Sequence, residues 1–594
     1  MQKSSTIGYI LIFFLFLGFW FFNKDNVQQL ENQNQEEVIE DKTLVSDTAM
    51  VSSQKPDLAN EQIIENTHTL SNEVLSVQFT NKGGVPKRVD LLDFKKYDST
   101  HLILFDSNQM RIGYSIPLSN GRVIQTLNSE FNIVKSSKSS ISYSYAIGSG
   151  EVIQTYILKP NSYAIDYAVD FKNLDQIIAS NNKLAELKWS SEIQNLEKIA
   201  KDERPVTSVY YKYLADDDID NLSESSDDEE VLSTGVQWVS FKQKFFNQTL
   251  IHKDGFKEDG IEISTVEPEN EDDAIVKNLS ATFFIPIESN SVKENMVIYF
   301  GPNHYPTLKD QGVELQKIIP LGWGIFGWVN KGIVIPIFNW LDNYFSNYGL
   351  IILLLTLIIK LGLFFPMYKV YKSSAKMKLL KPELDEIKER SKGDLQKAQQ
   401  EQMKLYKQAG VSPLGGCLPQ LIQMPILFAM FRFFPASIEL RQESLWWAED
   451  LSSYDSIYDF PNGFSIPFYG DHISLFTLMM TTVTLLFTYM NSQNSGQMVG
   501  PMKTVMYVMP ILFLGFFNNY AAALSFYYFL STCITIIQNF VIRKYVIDEE
   551  KLHLQIQESK KKKVVIKKSK LQKRFEDMAK KRGVDPYTGK PKKK

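Results

Sequence analysis

Cysteine is nearly absent: the 594 residues contain two, Cys417 and Cys533. Both lie in apolar runs, so the long polar stretch of the chain folds without a disulfide framework. Histidine is scarce as well. The six (His68, His101, His252, His304, His472 and His553) are scattered, and neither an HExxH nor a CxxC spacing occurs, which argues against a metal centre. No phosphate loop or other nucleotide motif is present, so no energy source is visible. The apolar runs of the C-terminal half carry Lys360 and no obvious second charge to partner it. A proton relay or a coupled ion pump therefore lacks its parts.

What is present is unevenly distributed. The net charge of -4 hides an acidic segment, Asp216 to Glu230, and a tail from Lys560 to Lys594 crowded with lysine. Residues Ile7 to Phe22 are uncharged and strongly apolar, preceded by Lys3. No small-residue cleavage site follows them, which favours an uncleaved membrane anchor over a signal peptide. Further apolar runs cover Tyr348 to Phe365, Leu414 to Phe434, Ile473 to Met490, Met502 to Phe517 and Tyr520 to Ile542. Each approaches the roughly 20 residues that cross a bilayer as a helix. Six spans with both termini on one side result.

Lysine and arginine near the spans orient them. The segment Lys369 to Lys407 carries eleven, whereas Pro435 to His472 carries Arg441 against seven acidic residues. The first is assigned to the cytoplasm, as are both termini, and the second to the outside. The large segment between the first and second spans then also lies outside.

Residues 23–67 are polar and poor in aromatics, as a flexible linker is. From about Leu70 to Phe300 short runs alternate polar and apolar residues, as in SISYSYAI (140–147) and YAIDYAVDF (163–171), separated by turn signals such as Lys82-Gly83-Gly84. This pattern predicts half-buried antiparallel strands in one large β-sandwich. The acidic segment 216–230 reads as a solvated loop on it. Residues 319–346, with Trp323, Trp328 and Trp340, read as an amphipathic helix on the membrane surface or as a buried linker helix. Between the second and third spans, Ser374 to Arg390 and Asp394 to Gln408 have helical patterns and form a polar hairpin.

A charge near the bilayer centre costs roughly 2.5–3.5 kcal/mol on insertion scales, so Lys360 needs compensation. It either snorkels to the cytoplasmic edge or faces a hydrated groove inside the bundle. Thr356, Gln420, Gln423, Thr481, Thr482, Thr484, Ser525, Ser531, Thr532, Thr535 and Gln538 are the polar residues of the spans that would line such a groove. The tail suits a polyanion, either ribosomal RNA or anionic lipid, unless it serves only the positive-inside rule.

AKMKLLKPELDEI (375–387), LYKQAGVSPLGGCLPQLIQMPILFAMF (405–431), FYYFLSTCITIIQN (526–539), FTNKGGVPKRVDLLDFKKY (79–97) and YFGPNHY (299–305) resemble the YidC/Oxa/Alb membrane protein insertase family. The outer domain resembles the Gram-negative bacterial form. The resemblance implies a polytopic α-helical membrane protein of the bacterial inner membrane. Its expected parts are an anchor (1–22), a linker (23–67), an all-β periplasmic sandwich (68–318), an interfacial helix (319–346), a five-helix insertase core (347–545) with its cytoplasmic hairpin (370–410), and a basic tail (546–594). It implies a non-enzymatic insertase and folding chaperone without cofactors. The expected partners are nascent membrane proteins, the Sec translocon with its accessory subunits, the ribosome and the lipid bilayer. The family's groove arginine is replaced here by Lys360. Thr356 and Tyr528 match positions that contact substrate helices, and Gln423 and Gln538 are further groove candidates. Lys560, Lys561, Lys562, Lys563, Lys567 and Lys568 resemble ribosome-contacting extensions. A small-solute transporter is the alternative, although internal repeats and interrupted half-helices are not evident. A third reading is a cell-envelope binding protein centred on the β domain.

Overall fold

The computed structural model describes residues 63–561, apart from 199, 258–259, 269–273, 392–394, 412–417, 462–463 and 495–500. The expected anchor, most of the linker and the tail beyond residue 561 therefore lie outside the described residues. The chain divides into two compact units, one holding 63–323 with 431–453 and the other 324–430 with 454–561.

The first unit is all-β apart from short helical turns. Among the described residues a four-stranded sheet (Thr67–Ser71, Leu75–Thr80, Val85–Lys95, His101–Phe105) pairs its strands in chain order. A nine-stranded sheet runs, in spatial order, Ile219–Asn221, Ser208–Tyr213, Val236–Lys242, Phe246–Phe256, Ser291–Pro302, Ala164–Lys172, Gly150–Leu158, Ser140–Ile147 and Asn132–Ser136. A six-stranded sheet runs Asp228–Leu232, Ile261–Val266, Ile275–Pro286, Leu184–Gln194, Met110–Pro117 and Val123–Gln125. Burial alternates residue by residue along Gly150–Leu158 and Ala164–Lys172, as a pleated strand with one covered face requires. The predicted turn at Gly83-Gly84 forms, with φ of +81° and +65°, a backbone that glycine enters without steric cost.

The acidic segment is not the plain loop its composition predicts. Ile219–Asn221 closes one edge of the nine-stranded sheet and Asp228–Leu232 one edge of the six-stranded sheet. Charged edge strands resist pairing with other chains. The segment also covers three buried lysines. The Nζ of Lys212 donates to the carbonyl of Asp216 (2.7 Å), and that of Lys277 to the carbonyl of Glu224 (3.0 Å). Burial pulls the Lys242 ammonium down from its usual range, while Glu224 at 3.4 Å holds it up.

Glu203 is fully buried, and its Oε2 accepts from the backbone N–H of Leu196 (3.1 Å). Burial, with the Glu197 carboxylate nearby, pushes its carboxyl up to about 8. A raised acid keeps its proton in the folded state after the unfolded chain has lost it. Stability is therefore full below the ordinary glutamate range and declines as pH rises toward 8. Glu203→Gln should flatten this decline, giving the larger gain in Tm at pH 8 than at pH 5 when the full chain is unfolded in detergent. An equal shift at both values would refute a protonated Glu203.

The second unit is helical: α1 (Gly324–Val329), α2 (Ile335–Asp342), α3 (Tyr348–Gly362), α4 (Phe364–Leu379), α5 (Lys381–Arg390), α6 (Leu395–Ala409), α7 (Leu418–Ala436, its end in the first unit), α8 (Leu475–Asn494), α9 (Pro501–Asn518), α10 (Ala522–Val541) and α11 (Glu549–Lys561). Among the described residues, α8 and α10 (with the turn after it) are long and apolar enough to cross a membrane. The pair α3/α4 would be a third, bent by 65°. The described side chains of α7 and α9 form apolar stretches over Ile422–Ala436 and Thr504–Asn518.

Three local readings need correction. The run Tyr348 to Phe365 is not one helix, because α3 ends at Gly362 and the chain turns. The segment 319–346 is helical over Gly324 to Asp342 and is interrupted by a π-helical turn, Asn330–Val334. There the buried Asn330 donates to the carbonyl of Ala429 (2.9 Å), while Trp328 and Trp340 stay exposed. The first arm of the hairpin breaks at Leu380, ahead of Pro382, whose ring cannot continue a helix from the preceding turn.

The hairpin is less polar than its charge count implies. Met377, Leu380, Leu384, Ile387, Leu405, Ala409 and Val411 form a small core that Ile556 of α11 completes. Residues after α10 thus complete the core of the hairpin.

Candidate functional site

The helix α3 begins at Asn347, whose side chain accepts from the N–H of Leu350 (2.9 Å), a capping bond that satisfies one orphan donor. Ile351, Ile352, Leu355, Thr356, Ile359 and Lys360 are its buried face, and Leu350, Leu357 and Leu361 are exposed. That 3.6-residue periodicity brings a lysine into the bundle along with the apolar residues around it.

Lys360 is 5% exposed. Its Nζ donates to the Oγ1 of Thr535 on α10 (2.8 Å) and to the Oε1 of Gln423 on α7 (3.1 Å). Gln423 in turn donates through Nε2 to the Oγ of Ser531 (2.9 Å), and Thr535 donates to the carbonyl of Ser531 (2.7 Å). Three helices thus meet at one ammonium. Its amine is held inside the bundle and does not reach along α3 to the helix end. Among the described residues no carboxylate lies within ion-pair distance of it, and two of its three N–H groups are used. The third has no acceptor among the described residues.

The predicted residues divide. Lys360 and Gln423 are bonded directly. Thr356 is buried one turn before Lys360, with its hydroxyl donating to the carbonyl of Ile352 (2.6 Å). Tyr528 is half-buried, its ring 6.5 Å from that of Phe517, centroid to centroid. Gln538 is half-buried on α10. Neither of the last two bonds to the lysine cluster. Ser531 and Thr535, which do, stand in the sequence among many other polar residues of the spans; their four-residue spacing was the available signal.

The Gln420 side chain lies outside the described residues, as do Lys562, Lys563, Lys567, Lys568 and the side chain of Lys561. Lys560 is described, and its ammonium pairs with the Glu383 carboxylate of α5 (2.7 Å to Oε2). The reading of one charge in the apolar runs also changes. Arg432, exposed near the end of α7, lies in the run Leu414 to Phe434, and Lys503 lies in the run Met502 to Phe517; the half-buried Arg543 follows the last run.

The family model described as the 60Kd inner membrane protein matches residues 340–550, and the one described as the YidC periplasmic domain matches 67–336. A membrane protein insertase YidC of Parabacteroides distasonis is 36% identical, covering 97% of this chain and 97% of its own. Another from Bacteroides fragilis is 34% identical, covering 98% and 97%. The chain belongs to the YidC membrane protein insertase family. That places it among inner-membrane, non-enzymatic insertases and identifies the first unit's sheets as the family's periplasmic domain. Among solved structures, a putative aldose 1-epimerase from Escherichia coli covers 40% of this chain at 11% identity with a TM-score of 0.27, too remote to bear on activity.

Proposed function

We propose that this YidC-family insertase moves the polar flank of a substrate segment along a groove made by α3, α7 and α10, with Lys360 at its centre, while the apolar part of the segment slides out along α3 and α10. The observation that carries the reading is the buried Lys360 ammonium, which has neutral acceptors from two other helices and, among the described residues, one N–H without an acceptor. A fixed cation in a polar groove shortens the apolar path of a polar flank and attracts its acidic residues. Burial of the substrate's apolar surface supplies the driving force.

The wider assembly follows the same reading. The chain crosses the inner membrane six times, with both termini in the cytoplasm. Arg441 supports this orientation: its segment, 431–453, packs within the same unit as the β domain. The hairpin and tail receive the ribosome and its nascent chain, and the Sec translocon with its accessory subunits shares substrates with the groove. A small-solute transporter is not favoured, since the relatives are insertases along nearly their whole length.

Photocrosslinkers at position 356 or 528, with the full chain presented to a ribosome-stalled membrane protein, should label the nascent segment from both positions. Silence from both, with labelling from an exposed lipid-facing position such as Leu361, would overturn the sliding path.

A further inference from the structure

Ser531, Thr535, Asn539 and Arg543 recur every fourth residue along α10 and into the π-helical turn that follows it, Ile542–Val546. That spacing keeps them on one helical face. The first two belong to the lysine cluster. The other two do not. The Oδ1 of Asn539 and the Nε of Arg543 are buried with no hydrogen-bond partner among the described residues. The hydroxyl of Tyr371 on α4 is in the same condition, and its buried ring packs with Met367 and Ile542. Ile542, which packs on the Tyr371 ring, is the residue immediately before Arg543. Glu549 stands 3.7 Å from Lys378, and no ion pair joins a carboxylate to Arg543 among the described residues. The adjacent Lys544 shows the ordinary alternative: it is exposed, with its ammonium over the rings of Phe540 (5.5 Å) and Tyr545 (5.4 Å).

We propose that Tyr371, Asn539 and Arg543 form a second substrate site at the end of α10, which takes an aspartate or glutamate carboxylate of the segment being inserted together with a backbone N–H beside it. The inference rests on the groove reading and extends it. The unmatched set is two donors, the Arg543 Nε–H and the Tyr371 O–H, with one acceptor, the Asn539 Oδ1. An acidic peptide supplies the complement of all three. A lipid phosphodiester accepts but has no donor for Asn539. Buried donors and acceptors left without partners are costly, so such a set is retained where a ligand repays it. Arg543 lies eight residues beyond Thr535, or about 12 Å along the helix. A carboxylate would thus meet two cationic stations in succession, the first at Arg543 and the second at Lys360.

The test uses the full chain in zwitterionic proteoliposomes and a single-span substrate whose translocated flank carries a photocrosslinker beside either Asp or Asn. The Asp form should crosslink to α10 about tenfold more than the Asn form, the size of one charge-assisted hydrogen bond. That ratio should approach one in Arg543→Gln, fall partly in the conservative Tyr371→Phe, and return in Arg543→Lys. Gel filtration and thermal unfolding confirm that each variant is folded. A ratio unchanged in Arg543→Gln and Tyr371→Phe overturns the site while leaving the groove intact. A ratio that depends on Arg543 only when anionic lipid is added assigns the arginine to headgroups and also overturns it. If neither substrate form crosslinks to α3 or α10 of the unsubstituted chain, the groove reading falls and takes this site with it.

Discussion

Lys360→Ala should lower insertion of substrates with charged translocated flanks by about tenfold or more, while Lys360→Arg keeps most of the activity. The ammonium spends two N–H groups on Gln423 and Thr535, and alanine removes both bonds together with the charge. Removing it should not weaken the fold. A lysine without a counter-ion in the membrane costs roughly 2.5–3.5 kcal/mol on insertion scales, so its loss offsets the lost hydrogen bonds. The expected pairing is impaired insertion with unchanged or raised thermal stability, which separates a functional charge from a structural one. Arginine keeps the charge and brings five donors in a planar fork, enough to satisfy both acceptors and a visitor. Reconstituted insertion measured beside the Tm of each variant decides this. Wild-type insertion of every substrate by Lys360→Ala would remove the charge from the mechanism.

Lys360 was legible in the sequence because one lysine interrupts an otherwise apolar run. Of its partners, Gln423 was already a groove candidate, whereas Thr535 was one polar residue among many. Gln423 lies 63 residues away and Thr535 lies 175 away, and nothing local singles out Thr535 over Thr482 or Thr532 as the one that meets the lysine. Strand alternation predicted the β domain well, since one covered face writes a period of two into the sequence. It failed at 216–230 because edge strands bury little and their composition is that of a turn. The lysines that this segment covers stand on distant strands, so their need for acceptors left no local trace. The hairpin's core was hidden for a related reason: Ile556 completes it from beyond α10. Nothing in the sequence marks Arg543 off from the adjacent Lys544; only burial and the packing of Tyr371 against Ile542 separate the two.

The largest stability effect is expected in the β domain, at Arg441. Its side chain is 2% exposed and pairs through Nε with the Glu197 Oε1 (2.7 Å), itself 8% exposed. Its Nη1 donates to the carbonyl of Lys95 (2.7 Å), and the guanidinium lies over the Phe246 ring at 5.2 Å. The sequence offered Arg441 only as the lone cation of an acidic loop; here it fastens that loop to the sheets. Breaking a buried pair by removing one partner costs about 3–5 kcal/mol, because the other charge is left buried. Arg441→Ala should therefore lower stability by that order and expose residues 437–453 to limited proteolysis. Glu197→Gln should cost less, since the amide oxygen still accepts from Arg441. The pH dependence supplies a second check. Burial already raises the Glu197 carboxyl, and the Arg441 charge opposes that rise. Without the arginine the carboxyl rises further and keeps its proton in the folded state to higher pH. The Arg441→Ala deficit should thus shrink as pH falls toward the ordinary glutamate range. Denaturant unfolding of the full chain at pH 5 and pH 8 measures both effects. A deficit below about 0.5 kcal/mol, the scatter of ordinary surface substitutions, would mean that the pair does not hold the loop.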